Sequence, residues 1–347
     1  MILFHNDYNE ACHQAVLDRL LELRGSQMPG YGLDPYCGGA AQLLRKLCHR
    51  QDLAVHFLVG GTQTNLTVIA AALRPHQGVI AADAGHIHVH ETGAVEAAGH
   101  KVIALPSSDA KLTADQVEAA VLAHRSDPDA EHTVQPKMVY ISNPSELGTI
   151  YSLGELEALS AVCRRYGLYL FLDGARLSYG LTARGNDVTM PDLARLTDVF
   201  YAGGTKCGAM FGEAVVFSNK TIAEDFRYLM KQRGGMLAKG WLLGAQFEAL
   251  LDGGLYFEIA ARANRQADQI RETLDQLRYD CLVPTVTNQI FPILPDALLA
   301  ELGKEFTFSR MQKVDEGHTV VRFCTSWATN QENVDKLCQT LRMLSHS

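Results

Sequence analysis

Several things are scarce or missing in this 347-residue chain. It has 2 tryptophans, and aromatic residues make up only 8% of it. No apolar run is long enough to span a bilayer, so a membrane helix is not expected. No block of lysine and arginine breaks the net charge of −8, which argues against nucleic acid or an anionic lipid surface as a partner. The 8 cysteines never form C-x-x-C, so neither a zinc site nor a disulfide framework is expected. The histidine run His86-Ile87-His88-Val89-His90 has period two and no cysteine partner, which is not metal-ligand spacing. The opening residues Met1 to Glu10 lack the charged and apolar regions of a signal peptide. Reduced thiols and no export signal make the cytoplasm the expected location. There is no G-x-G-x-x-G and no G-K-[ST] ending, which removes the dinucleotide and Walker phosphate loops.

What is present is an alternation. Apolar runs at Val55–Val59, Gly78–Ala82, Lys101–Leu105, Met138–Ser142, Leu168–Leu172, Val199–Ala202 and Ala214–Ser218 read as buried strands. Helical spacing falls between most of them, at Asn65–Leu73, Glu91–Ala98, from the capping box Thr113-Ala114-Asp115-Gln116, and at Leu153–Tyr166. Two further helices are expected before them, within residues 9–24 and Ala40–Cys48. The pattern predicts an α/β fold with a mainly parallel sheet flanked by helices. Beyond residue 220 it changes. One long helix is expected over Trp241–Leu277, then short strands within Thr287–Ile293, Glu305–Ser309 and Thr319–Cys324, and a closing helix Glu332–Leu344. The division expected is an N-terminal arm and helix over 1–25, a large domain over 26–240 and a smaller α+β domain over 241–347.

Three short segments carry chemistry. The strand Leu170-Phe171-Leu172 ends in Asp173, at the strand end where open α/β sheets bind ligands. Lys206 follows another strand, inside Gly203-Gly204-Thr205-Lys206-Cys207-Gly208, where small neighbours admit a bulky group. Gly60-Gly61-Thr62 turns from a strand into a helix, whose free N–H groups suit a phosphate. Alone, each has an ordinary reading: a capping acid, a surface lysine in a turn, a helix start. Together they match pyridoxal 5'-phosphate, which needs an anion cradle, a carboxylate for its ring nitrogen and a lysine for a Schiff base.

The order Gly61-Thr62 with Asn65, Gly85-His86-Ile87 with Glu91-Thr92-Gly93-Ala94, Asp173-Gly174-Ala175-Arg176, Lys206 and Arg322 resembles the threonine aldolase and aromatic amino acid β-eliminating lyase family of fold type I pyridoxal phosphate enzymes. The resemblance covers nearly the whole chain. It implies that Gly61 and Thr62 bind the phosphate, His86 stacks on the ring, Asp173 pairs with the ring nitrogen and Lys206 carries the cofactor. It places Arg176 near the ring and the substrate carboxylate, with Arg322 gripping that carboxylate through its planar fork. His86 is the first choice of base for a β-hydroxyl, with His90 or a water second. Departures exist. The family's Arg-Ser-Asp-Thr is here His5-Asn6-Asp7-Tyr8, so Asn6 stands in for a serine at the substrate carboxylate. Its Glu-Asn-Thr-His becomes Ser142-Asn143-Pro144-Ser145-Glu146, without the histidine credited with touching the β-hydroxyl. His90 stands where a tyrosine is usual. An arginine for the phosphate is absent, and Lys239 or Arg233 would replace it. The implied activity is retro-aldol cleavage of a β-hydroxy-α-amino acid to glycine and an aldehyde. Alternatives are β-elimination or transamination with the same cofactor, or a non-catalytic binding protein that kept the fold. A homodimer or homotetramer is implied, with Tyr31 reaching a neighbour's site.

Overall fold

The computed structural model describes residues 1–345. Its centre is a seven-stranded sheet. We label the strands β1 (Ala54–Leu58), β2 (Gln77–Ala82), β3 (Val102–Leu105), β4 (Gln135–Ser142), β5 (Tyr169–Asp173), β6 (Val199–Gly203) and β7 (Glu213–Phe217). Their spatial order is β1-β7-β6-β5-β4-β2-β3. Pairings from β3 through β6 are parallel, whereas β7 runs antiparallel to both β1 and β6.

Alternation along the strands divides the interior into two apolar layers. Ile80, Val139, Ile141, Leu170, Leu172, Phe200 and Val216 face one layer. Val79, Met138, Tyr140, Phe171, Val199, Tyr201 and Val215 face the other. Helices cover both faces, which is why these strands are apolar at every position rather than at every second one. The capping box at Thr113 and Gln116 starts a helix as expected, at Ala114–Ser126.

Several element boundaries differ from the sequence reading. The helix expected over Trp241–Leu277 is two helices, Trp241–Leu251 and Leu255–Gln276. Gly253 and Gly254 between them have φ of 73° and 83°, a left-handed backbone that ends a helix. The first of these helices packs Leu243, Phe247 and Leu250 into the large core. The second begins there with Tyr256, Ile259 and Ala263, and passes into the C-terminal core with Ala267, Ile270 and Leu274. The change of core along this helix falls between Ala263 and Ala267. The stretch Glu91–Ala98 is helical only at Ala94–Ala97, because Thr92 and Gly93 both have positive φ. The helix expected at Asn65 starts four residues earlier, at Gly61.

The N-terminal arm is part of the C-terminal core. Ile2–Leu3 forms a parallel pair with Phe306–Thr307. Phe4 is fully buried, its ring centroid 6.2 Å from that of Phe306 and 6.5 Å from that of Phe323. The arm spans from this core to the end of β5, where Asp7 meets Arg176. Truncating the anchor leaves a large void, so Phe4→Ala is expected to cost about 3–5 kcal/mol. Urea unfolding of the variant against the parent checks this.

Candidate active site

The carboxyl ends of the parallel strands, with the start of antiparallel β7, open on a cavity of about 360 Å³. Gly61, Thr62, His86, Asp173, Arg176 and Lys206 all line it. Chain folding thus unites residues from four separate turns. Close backbone approach makes this possible. A Cβ on Gly174 would lie 1.9 Å from the Tyr201 carbonyl oxygen, and one on Gly203 2.4 Å from the Ala175 oxygen. Only glycines let the Asp173 and Lys206 loops pack this tightly.

Asp173 is the best-supported charge in the cavity. Its Oδ1 accepts from the Ala175 N–H at 2.9 Å, and its Oδ2 accepts from the Tyr140 hydroxyl and from Asn65 Nδ2 at 3.1 Å. Burial alone would raise its pKa, but the His86 charge and the Tyr140 hydrogen bond outweigh it, so the carboxyl is held below its ordinary value. Asn65 Nδ2 also reaches Glu91 Oε1 at 2.7 Å, and that same oxygen meets His86 Nδ1 at 2.7 Å. One chain of contacts therefore runs from Asp173 to His86.

The Lys206 amine forms no hydrogen bond or ion pair among the described residues, while its backbone carbonyl accepts from the Tyr179 hydroxyl at 2.7 Å. Burial, then the charge of Arg176, lowers its pKa, which favours the neutral, nucleophilic amine. The helix Gly61–Ala72 has Gly60 as its N-cap and no side-chain cap, so its first N–H groups stay free. Around Gly60 a Cβ would meet only open space. An uncapped helix start, a buried charged acid and an unpaired lysine in one cavity fit the phosphate, ring nitrogen and aldehyde of pyridoxal phosphate.

Other expected residues are placed differently. Arg176 lines the cavity, but its Nε and Nη2 grip Asp7 at 2.7 and 2.9 Å. Its fork is therefore already used by a carboxylate of its own chain. The two charges hold each other. Burial would raise Asp7, yet Arg176 and then Lys206 bring it down to about 2. Asn6 does not line the cavity; its Oδ1 accepts from the Tyr8 N–H at 3.0 Å, and Tyr8 is the arm residue that does. Arg322 lies behind the arm, with Nη2 donating to the His5 carbonyl at 2.8 Å and Nη1 to Gln289 Oε1 at 3.3 Å. His90 is exposed outside the lining, 5.6 Å from His86 between ring centroids. Tyr31 lines a separate cavity with Arg45, His56 and Arg227. Lys239 is exposed and lines neither cavity, whereas the Arg233 carbonyl accepts from Gln63 Nε2 in the cradle helix at 3.1 Å.

Sequence reasoning missed Glu146, Glu213, Tyr140 and Tyr8. Glu213 lines the cavity, accepts from Thr205 Oγ1 at 2.9 Å and leaves Oε2 buried without a partner. Burial pushes it up to about 8. Glu213 opens an antiparallel strand rather than ending a parallel one, so the strand-end signal that marked Asp173 does not find it.

Comparison with known proteins places this geometry. The beta-eliminating lyase family model matches residues 25–297. A low specificity L-threonine aldolase of Pseudomonas aeruginosa is 30% identical over 346 residues, covering 98% of this chain and 96% of that protein. The structure of a Leishmania major threonine aldolase superposes with a TM-score of 0.97 at 45% identity, covering 99% of this chain and 100% of that one. A Thermus thermophilus aspartate aminotransferase shares the fold, with a TM-score of 0.74 at 18% identity. The chain therefore belongs to the beta-eliminating lyase family and is a pyridoxal-phosphate-dependent lyase.

Proposed function

We propose that this lyase cleaves a β-hydroxy-α-amino acid of the threonine, allo-threonine or phenylserine type to glycine and an aldehyde. The observation that carries this is the meeting of Lys206, Asp173 and the open helix start at Gly61 in one cavity. The threonine aldolases similar to it across its whole length support the substrate class. When bound, pyridoxal phosphate supplies an aldehyde carbon for amines and a protonated ring that accepts the electron pair released at the substrate's α-carbon.

The chain's own residues divide the remaining work. Gly61 and Thr62 offer N–H groups to the phosphate. Lys206 holds the cofactor through its amine and yields that place to the substrate's amine. Asp173 keeps the proton on the ring nitrogen, because its charge is already secured by Tyr140, Asn65 and Ala175. His86, tied to Glu91, forms a wall of the site. Arg322 is the guanidinium left for the substrate carboxylate, since no carboxylate occupies its fork and two of its contacts are long, at 3.3 and 3.4 Å. Arg176 instead secures the arm through Asp7. The exposed ring of Tyr31 supports assembly as a homodimer or homotetramer in which it faces a neighbouring site.

Incubation with L-threonine, L-allo-threonine and phenylserine is expected to yield glycine and the matching aldehyde. Pyruvate from serine with no glycine would replace this reading by β-elimination. Lys206→Ala is expected to lose the visible absorbance of the loaded cofactor and all turnover. A parent protein with no such band, even after adding the cofactor, would leave only a binding role.

The buried pair makes a separate forecast. Asp7→Asn leaves Arg176 unpaired, with an expected cost of about 3–5 kcal/mol. The folded Asp7 pKa lies below its ordinary value, so the stability it confers is present above that value and lost as pH falls towards 2. Thermal melts from neutral pH into acid should show that acid-side loss in the parent and less of it in the variant.

A further inference from the structure

Retro-aldol cleavage needs a group that takes the β-hydroxyl proton, and we infer that Glu146 is this group. The inference rests on the threonine-type reading above. It starts from the order of the loops across the cavity mouth. The phosphate cradle follows β1, Lys206 follows β6, Asp173 ends β5, Glu146 follows β4 and His86 follows β2. The residues that would hold the cofactor, Gly61, Lys206 and Asp173, enter from the ends of β1, β6 and β5, and Glu146 is the carboxylate that enters the same cavity beside Asp173, from the end of β4.

The side chain is built as a positioned acceptor. Oε1 accepts from the His86 N–H at 2.8 Å and from Ser142 Oγ at 2.7 Å. These two donors fix the carboxylate through Oε1, and Oε2 makes no hydrogen bond among the described residues. Residue 146 is only half-buried, in a loop whose neighbours Ser142, Pro144 and Ser145 also line the cavity. Burial raises its pKa, which makes the carboxylate a stronger proton acceptor than an exposed one. His90, the other candidate apart from His86, does not line the cavity. In the step itself, the hydroxyl proton passes to Glu146 Oε2 and the O–H electron pair becomes the second bond of the aldehyde carbonyl. The Cα–Cβ bond breaks, its electron pair stays with the α-carbon, and protonation there gives glycine.

The experiment pairs two reactions of the loaded enzyme with a spectral measurement. Cleavage of threonine or phenylserine needs the acceptor. Exchange of a glycine α-hydrogen with D₂O does not, because glycine has no β-hydroxyl. Glu146→Gln is expected to lower kcat for cleavage by about 10²–10⁴-fold. Glycine exchange, the cofactor's visible band and the spectral titration with glycine should stay unchanged. Glu146→Asp, which keeps the acid, should recover part of the cleavage rate. Three results overturn the inference. Glu146→Gln could cleave at the parent rate, or lose cleavage and glycine exchange together, which would mark a structural role. His86→Asn could lose cleavage alone while Glu146→Gln keeps it, which would assign the proton to His86. A parent enzyme that exchanges glycine but cleaves neither substrate would instead remove the threonine-type reading.

Discussion

A carboxylate buried away from water must find donors inside the protein or give up its charge. Asp173 finds them in the Ala175 N–H, the Tyr140 hydroxyl and Asn65 Nδ2. Those donors belong to different parts of the chain: the loop after β5, strand β4 and the helix that begins at Gly61. Through Asn65 and Glu91 the same network reaches His86 after β2. Satisfying one charge thus sets the mutual positions of the phosphate cradle, the acid and the wall of the cavity. The network is also what holds the Asp173 pKa below its ordinary value in a place where burial alone would raise it.

A second buried charge closes the site from the other side. Asp7 lies on an arm whose start is packed into the C-terminal core through Phe4, and it meets Arg176 just past β5. The pair ties the arm, and with it the C-terminal core, to the loop after β5. It also redefines Arg176. Two of its donors are committed to a carboxylate of its own chain, which clamps the arm to the loop after β5. Arg322, beneath the same arm, is the group with weaker commitments. Both arginines carry the same side chain, and their surroundings differ in whether a carboxylate is paired with it.

Much of the fold was legible because buried parallel strands need apolar residues on both faces. Continuous runs such as Met138–Ser142 or Val199–Ala202 have few other uses. The long helix was misread because hydrophobic spacing continues on both sides of Asp252-Gly253-Gly254, and only the glycine pair marks the break. In the site, Gly61, Thr62, Asp173 and Lys206 could be named from local context, since each sits where a strand ends, whereas His86 and Arg176 came from the family resemblance. Asn6 was chosen over its neighbour Tyr8 from an equivalence of positions, whereas the direction of the arm decides which of the two enters the cavity. Lys239 was matched by its place after Gly235-Met236 and is exposed outside the cofactor cavity, whereas Tyr31, expected at a neighbour's site, lines a second cavity of its own chain. Glu146 was visible only as a replacement for an expected histidine segment.

Local pattern by itself determined the sheet, the cofactor and the lysine that carries it. Strand ends, a glycine turn into a helix and an acid after an apolar run are features of a few consecutive residues. What each polar group is free to do was decided by tertiary structure alone. Arg176 is spent on Asp7, His86 is tied to Glu91, and Glu146 keeps one oxygen open because Ser142 and the His86 backbone hold the other. Those contacts join residues as far apart in the chain as 7 and 176. No local rule encodes them, because hydrogen-bond partners at long range are chosen by packing.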